Sequence, residues 1–424
     1  MSTRGATLHA PAETVRAENP EPSSARLPLV VHVLALGTFL MGTTEFVVAG
    51  LLPEIAGDLR VGVARTGLLI TVFAVGMIVG APLMAMLTLR LPKRLTLMLA
   101  LGVFAAGHVV VALGSSFSLL LAARFLTAIA TGAFWAVANV AAAHAAGPAA
   151  RSRALGVVGA GAMLANVVGV PLGAFAGQLM GWRGPFWALA AASAAAIALI
   201  ARTVPHDGPD RYTGSIRSEL TALRSGRLWL VLAACATTTG GVLAAYSYIA
   251  PLLTDRTGLA AGLVPLVLVG FGVGALAGSI IGGRLGDRRP HTVTVAAAAG
   301  AALLLMAIVL LAGSAPATVV LIGLLGFFGL GANPVLMALA VRYAGRAPTL
   351  ASALTVSAFN LGTAAGSWTA GLTLGSGLGP TGPAVVGTAV AALTLIPTLT
   401  LALRRHRRTG AASRSAASVH ADQA

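Results

Sequence analysis

Stretches of about twenty apolar residues recur along nearly the whole chain, each long enough to cross a hydrocarbon core of about 30 Å. In lipid every backbone donor and acceptor must be satisfied internally, so such stretches are helices. The alternating pattern of a membrane barrel is absent. Of the 424 residues, 57% are hydrophobic and 9% charged, where a soluble domain carries about a quarter charged. The expected class is therefore an all-α membrane protein. Twelve spans are predicted, at 28–53, 65–88, 93–113, 117–143, 152–178, 184–202, 227–251, 261–283, 292–312, 317–342, 349–376 and 382–403. The first apolar run, from near Leu27, is too long for the core of a cleavable signal and reads as a membrane helix.

The formal net charge of +16 would suggest nucleic-acid binding in a soluble protein, but the basic residues lie in tails and short loops. No nucleic-acid partner is expected. Arg60, Arg65, Arg183 and Arg256 fall in alternate loops and Arg124 within a span; the other Lys and Arg share one side with both termini. The positive-inside rule then places both termini in the cytoplasm and requires an even number of spans. The predicted organisation is a disordered tail 1–26, a six-helix bundle 27–202, a central cytoplasmic loop 203–226, a second bundle 227–403 and a basic tail 404–424.

The chain also repeats itself. F73-A-V-G-M-I-V-G80 matches F271-G-V-G-A-L-A-G278, 198 residues later, and the same offset pairs Arg90 with Arg288, Pro92 with Pro290 and Pro53 with Pro251. Two six-helix halves that enclose a substrate site near mid-membrane are what an alternating-access transporter uses. Chance alignment of Gly/Ala-rich helices is the competing explanation.

Glu45 is the only carboxylate that falls inside a predicted span, and Arg124 the only cation away from a span end. A charge at membrane depth costs at least ~2.5–3.5 kcal/mol, so such residues face the protein interior and usually mark an ion or proton pathway. At 1.5 Å per residue both lie ~10–12 Å from the same membrane face. Glu45 aligns with Leu243 and Arg124 with Gly323, so the second half offers no charged counterpart. Glu45 reads as a proton carrier or as a structural acid held by Thr43 or Thr44. Arg124 reads as its partner, or as a cation that is held by backbone carbonyls or snorkels outward. Among polar and aromatic residues within spans (Asn139, Trp135, Asn166, Tyr246, Tyr248, Asn333, Asn360 and Trp368), the candidates for a substrate cavity are Asn139, Asn333 and Tyr246. Apolar walls with a few hydrogen-bonding groups suit an aromatic, moderately polar ligand. His32, His108 and His144 read as structural, with no metal-ligand spacing. The lone Cys235 excludes an internal disulfide, and G282-G-R-L-G286 lacks the ending of a nucleotide-binding loop. No cofactor or metal is expected.

These residues resemble the major facilitator superfamily, and within it the twelve-helix drug:proton antiporters of the chloramphenicol-efflux group, over residues 28–405. The resemblance is carried by G42-T-T-E-F46, G50-L-L-P53, F73-A-V-G-M-I-V-G-A-P82, R124-F125, G169-V-P-L-G173 and G181-W-R183. It implies two pseudo-symmetric six-helix bundles and no enzyme activity. It further implies proton coupling through Glu45 and Arg124, and a hinge or seal at Gly169, Pro171 and Gly173. A cytoplasmic clamp is implied at Gly283, Asp287, Arg288 and Arg289, with Arg90 in the matching first-half loop. There Leu89 stands where the family has an acid. The implied function is proton-coupled efflux of a small amphiphilic drug, chloramphenicol or a relative, by a monomer in a bacterial cytoplasmic membrane. Export of a sugar or other metabolite is the alternative. Proton-symport uptake fits less well, and so does a non-transporting receptor, since no loop can house a soluble domain.

Overall fold

The computed structural model describes residues 27–87, 91–205, 221–345 and 348–403. The two tails, Arg90 and most of the central loop 203–226 lie outside the described residues. The described residues form helices and connecting turns, with no strand among them. In chain order the spanning helices are α1 Leu29–Gly50, α2 Val63–Met84, α3 Lys93–Leu113, α4 Phe117–Gly147, α5 Arg153–Met180, α6 Gly184–Thr203, α7 Gly226–Ser247, α8 Ala261–Arg288, α9 Pro290–Leu311 and α10 Ala315–Ala344. They are followed by α11 Pro348–Thr373 and α12 Gly379–Leu403. Eleven are long and apolar enough to cross a membrane by composition alone; α11 is the exception. Its hydroxyls turn back on the backbone, as Thr355 does on Ala351 and Thr363 on Phe359. Turning back in this way satisfies those donors inside the bundle; the Ser367 hydroxyl is buried with no partner among the described residues. Gly147 breaks the connection between α4 and α5 with a φ of 69°, which only glycine adopts cheaply.

The repeat is built into the packing. A methyl group added at Gly76 of α2 would meet the carbonyl oxygen of Phe125 in α4, and one added at Gly274 of α8 would meet that of Gly323 in α10. Both pairs are 198 residues apart. Small residues let membrane helices approach closely, so the same glycine makes the same contact in each half. This register also corrects the alignment of Arg124: Phe125 stands opposite Gly323, so Arg124 stands opposite Ile322 rather than Gly323. The second half still presents no charge at that position.

A single buried core joins the halves at the face opposite the termini, where Leu51, Ile55 and Val111 meet Leu253, Leu268 and Ile308. Toward the termini this core gives way to two. Leu34, Phe104, Phe134 and Ile200 pack within the first half, and Leu228, Leu336, Leu339 and Leu401 within the second. Toward the termini the apolar cores thus fall within each half.

Across the closed end the Gln178 amide donates to the carbonyl of Ala261 at 2.7 Å. Phe46 of α1 meets Tyr246 of α7 edge-on at 6.2 Å, and Tyr246 lies 4.4 Å from Phe271. Deeper in, Pro82 lies inside α2 and lacks the N–H that would satisfy the carbonyl of Ile78, four residues earlier. The Ser357 hydroxyl of α11, in the other half, donates to that carbonyl at 3.1 Å. Around it Phe73, Met77 and Ala128 form a small cluster against Val356.

Candidate functional site

α4 touches α1 through Thr131, whose hydroxyl donates to Met41 Sδ at 3.3 Å, and through Phe134, which covers Gly37. It touches α2 through Ala128, Ile129 and Gly132. Helical periodicity puts Arg124, Trp135 and Asn139 on the stripe between those two contacts. Asn139 is exposed there and its amide donates to the Trp135 carbonyl.

Arg124 is 1% exposed and is held without a carboxylate. Its Nη1 donates to both the carbonyl and the hydroxyl oxygen of Thr44, each at 3.0 Å, and Nε donates to the carbonyl of Leu69 at 3.3 Å. The Thr44 carbonyl is available for a local reason. The α-helical part of α1 ends at Val47 and tightens to a 3-10 turn over Val48–Gly50, and the last four carbonyls of an α-helix have no intrahelical donor. The Phe73 ring lies 4.2 Å from the guanidinium carbon, a cation–π contact. Nη2 is buried and has no partner among the described residues.

Glu45 is half-buried on α1, between Met41, which faces α4, and Phe46, which faces Tyr246. It makes no hydrogen bond or ion pair among the described residues. The threonines offered by sequence as its holders are engaged elsewhere, Thr43 with the Phe39 carbonyl at 2.8 Å and Thr44 with Arg124 and His108. Of the fates open to Arg124 in sequence, the structure shows the backbone carbonyls. The acid and the base sit in one neighbourhood without pairing.

The other sequence candidates separate. Tyr246 is buried in the aromatic seal, not on an open cavity wall. Asn333 begins the second segment of α10, which is interrupted at Ala332 and resumes with Pro334 in its first turn. Its Oδ1 is buried without a partner among the described residues, and so is Nε1 of Trp135. These two positions are related by the 198-residue repeat. One orphaned donor and one orphaned acceptor thus occupy equivalent places in opposite halves.

Gly169 and Gly173 pack α5 against Thr43 and Val47 of α1, inside their own half. The residues Ala165–Gly169 form a π-helical turn just before Pro171, which relieves the missing N–H. The neighbouring Asn166 and Val167 backbone presses on Gly272 of α8 in the other half. Asp287, Arg288 and Arg289 are exposed at the termini end of α8 and Gly283 is partly exposed. Asp287 forms no ion pair among the described residues. Arg90 lies outside the described residues. His108, read from sequence as structural, joins Thr44 across a 2.7 Å hydrogen bond. No local sequence pattern signals that contact.

The sequence pattern of the Major Facilitator Superfamily matches residues 34–367 and, in a second register, 243–421. The chain belongs to this superfamily. Among major facilitator proteins it is 38% identical over 360 residues to a chloramphenicol resistance protein of Streptomyces lividans, covering 84% of this chain and 92% of that one. It is 34% identical to the uncharacterized transporter YtbD of Bacillus subtilis (strain 168), over 80% of this chain and 87% of that one. It is 32% identical to the inner membrane transport protein YdhP of Escherichia coli (strain K12), over 86% and 93%. Among solved structures, a bacterial homolog of the human lysosomal transporter Spinster, inward-facing and occupied, superposes with a TM-score of 0.69. It is 18% identical, with 88% of this chain and 94% of that chain covered. The likeness fixes the major facilitator fold for this multi-pass membrane protein.

Proposed function

We propose that this transporter exports a small amphiphilic drug, chloramphenicol or a related antibiotic, in exchange for protons, from a bacterial cytoplasmic membrane with both termini inside. The observation that supports it is Glu45, half-buried on α1 without a hydrogen bond or ion pair among the described residues, one residue from the Thr44 that holds the buried Arg124. The similarity to a chloramphenicol resistance protein suggests the substrate class.

In this reading a gap between the halves faces the cytoplasm and drug enters while Glu45 is ionised. Drug in the gap draws the termini ends together. The contacts across the closed end (Gln178 to Ala261, Phe46 to Tyr246) separate, and the substrate leaves on the far side. A proton from outside then neutralises Glu45, which no longer has to be solvated or paired at membrane depth, and the halves return. The membrane potential adds ~2.3 kcal/mol per charge per 100 mV. Asp287 with Arg288 and Arg289 would engage helix ends in the outward-open state.

The test is expression in an efflux-deficient bacterial host against a panel of antibiotics and metabolites. The expected result is raised resistance to chloramphenicol or its relatives, abolished by a protonophore. Unchanged susceptibility across the panel, with the protein present in the membrane, contradicts the substrate class.

A further inference from the structure

His108 of α3 is 1% exposed and takes no part in the cycle described so far. Its ring is wedged between Phe104, with centroids 4.0 Å apart, and Phe186 of α6 at 5.9 Å. Nδ1 lies 2.7 Å from the carbonyl oxygen of Phe104 and Nε2 lies 2.7 Å from the Thr44 hydroxyl. A carbonyl only accepts, so Nδ1 carries hydrogen. The Thr44 oxygen already accepts from Arg124 Nη1. Its own hydrogen then goes to Nε2, which accepts it in the neutral ring. The result is a chain with one direction: Arg124 N–H to Thr44 O–H to His108 Nε2, with His108 Nδ1–H closing on Phe104. Every donor in it has an acceptor.

We propose that His108 is a positioning residue for the charge centre: through the Thr44 hydroxyl it holds the Nη1 and Nε edge of Arg124 on the α1 and α2 backbone, leaving the Nη2 edge free. The free edge is the one that Glu45 or a polar substrate group can take when the halves move. A protonated His108 would donate to Thr44 from Nε2, reverse the chain and set a second cation against the guanidinium. The chain works only with the ring neutral. The charged group linked to it is Arg124 on α4, through Thr44; Phe186 on α6 adds none. This inference rests on the proton-coupling reading of Glu45 and Arg124.

The test uses chloramphenicol-driven proton movement in proteoliposomes, recorded as a pH profile. His108→Phe keeps the aromatic packing and removes the acceptor; Thr44→Val removes the hydroxyl at constant shape. Each is expected to slow coupled transport at least about tenfold, as loss of a hydrogen bond to a charged group implies, and to displace the pH profile. The double variant should be no worse than either single one, because the chain acts as a unit. Thr44→Ser and His108→Gln, which restore the hydroxyl and an acceptor, should bring the profile back. An unchanged profile in both His108→Phe and Thr44→Val overturns the inference, including where yield or thermal stability falls, since that marks a packing role alone. Glu45→Gln is run beside them. Coupling lost there with the His108 variants unchanged removes this inference only, whereas coupling retained there removes the reading beneath it.

Discussion

The hydroxyl of Ser357 reaches out of the second half of the protein and donates a 3.1 Å hydrogen bond to the carbonyl of Ile78 in the first. The acceptor exists because Pro82 has no N–H to give it. Two substitutions therefore report on one bond. Ser357→Ala should destabilise the bundle by ~0.5–1.5 kcal/mol. Pro82→Ala supplies the missing donor within α2, and in that background Ser357→Ala should cost close to nothing. A double-mutant cycle on denaturant unfolding in detergent measures the coupling. Strictly additive effects would show that the two residues are independent.

At the closed end the Tyr248 hydroxyl donates to the Ser367 carbonyl at 3.1 Å and lies where a side chain on Gly67 would stand. Gly67→Ala should push α7 from α2 and weaken the seal, lowering drug efflux about tenfold or more, since overpacking costs ~1–3 kcal/mol. Adding Tyr248→Phe removes the nearest atom and should recover part of the loss. Efflux rates of the single and double variants decide this. Wild-type efflux in Gly67→Ala alone would mean that the contact does not limit the cycle.

Trp135 Nε1 and Asn333 Oδ1 are the repeat-related orphans of the two halves. A ligand that both accepts and donates hydrogen bonds would engage them from opposite sides. Trp135→Phe and Asn333→Leu should each raise the KM for chloramphenicol about tenfold or less, with unchanged amounts of protein in the membrane. Transport kinetics that stay at the wild-type KM in both variants would exclude these groups from the binding site.

Asp58 and Arg183 pair on the surface at the closed end, 2.5 Å apart. The Arg183 hydrogen bond holds the Asp58 carboxyl below the usual carboxylate range. The stabilisation is present above the ordinary aspartate pKa and is lost as pH falls through the lowered one. Asp58 is exposed and Arg183 partly exposed, so the pair is worth under about 1 kcal/mol. Asp58→Asn should leave transport intact and shift thermal unfolding slightly at neutral pH and not at all in strong acid. A large loss of stability would point to a role beyond this pair.

Much of this arrangement was legible in the sequence because membrane insertion leaves few options. The spans, the duplication and the solitary Glu45 and Arg124 follow from apolar length, a fixed offset and the cost of burying charge. The 198-residue offset read from Phe73 and Phe271 reappears as matching glycine contacts at Gly76 and Gly274. What escaped are contacts between residues far apart in the chain. Thr44 and His108 are 64 residues apart, and Ile78 and Ser357 are 279. No period or motif brings them together; only the packed bundle does. The partner of Arg124 escaped for another reason. A cation at depth is satisfied equally by a carboxylate or by carbonyls, and the 3-10 turn that frees the Thr44 carbonyl leaves no plain mark in T43-T-E-F-V-V-A-G50.

The direct test of the account is proton movement driven by a chloramphenicol gradient in proteoliposomes, comparing the wild-type protein with Glu45→Gln at equal incorporation. Drug leaving the vesicles should drive protons in through the wild-type protein, and the Glu45→Gln protein should move none. Equal proton movement in the two would contradict the central claim.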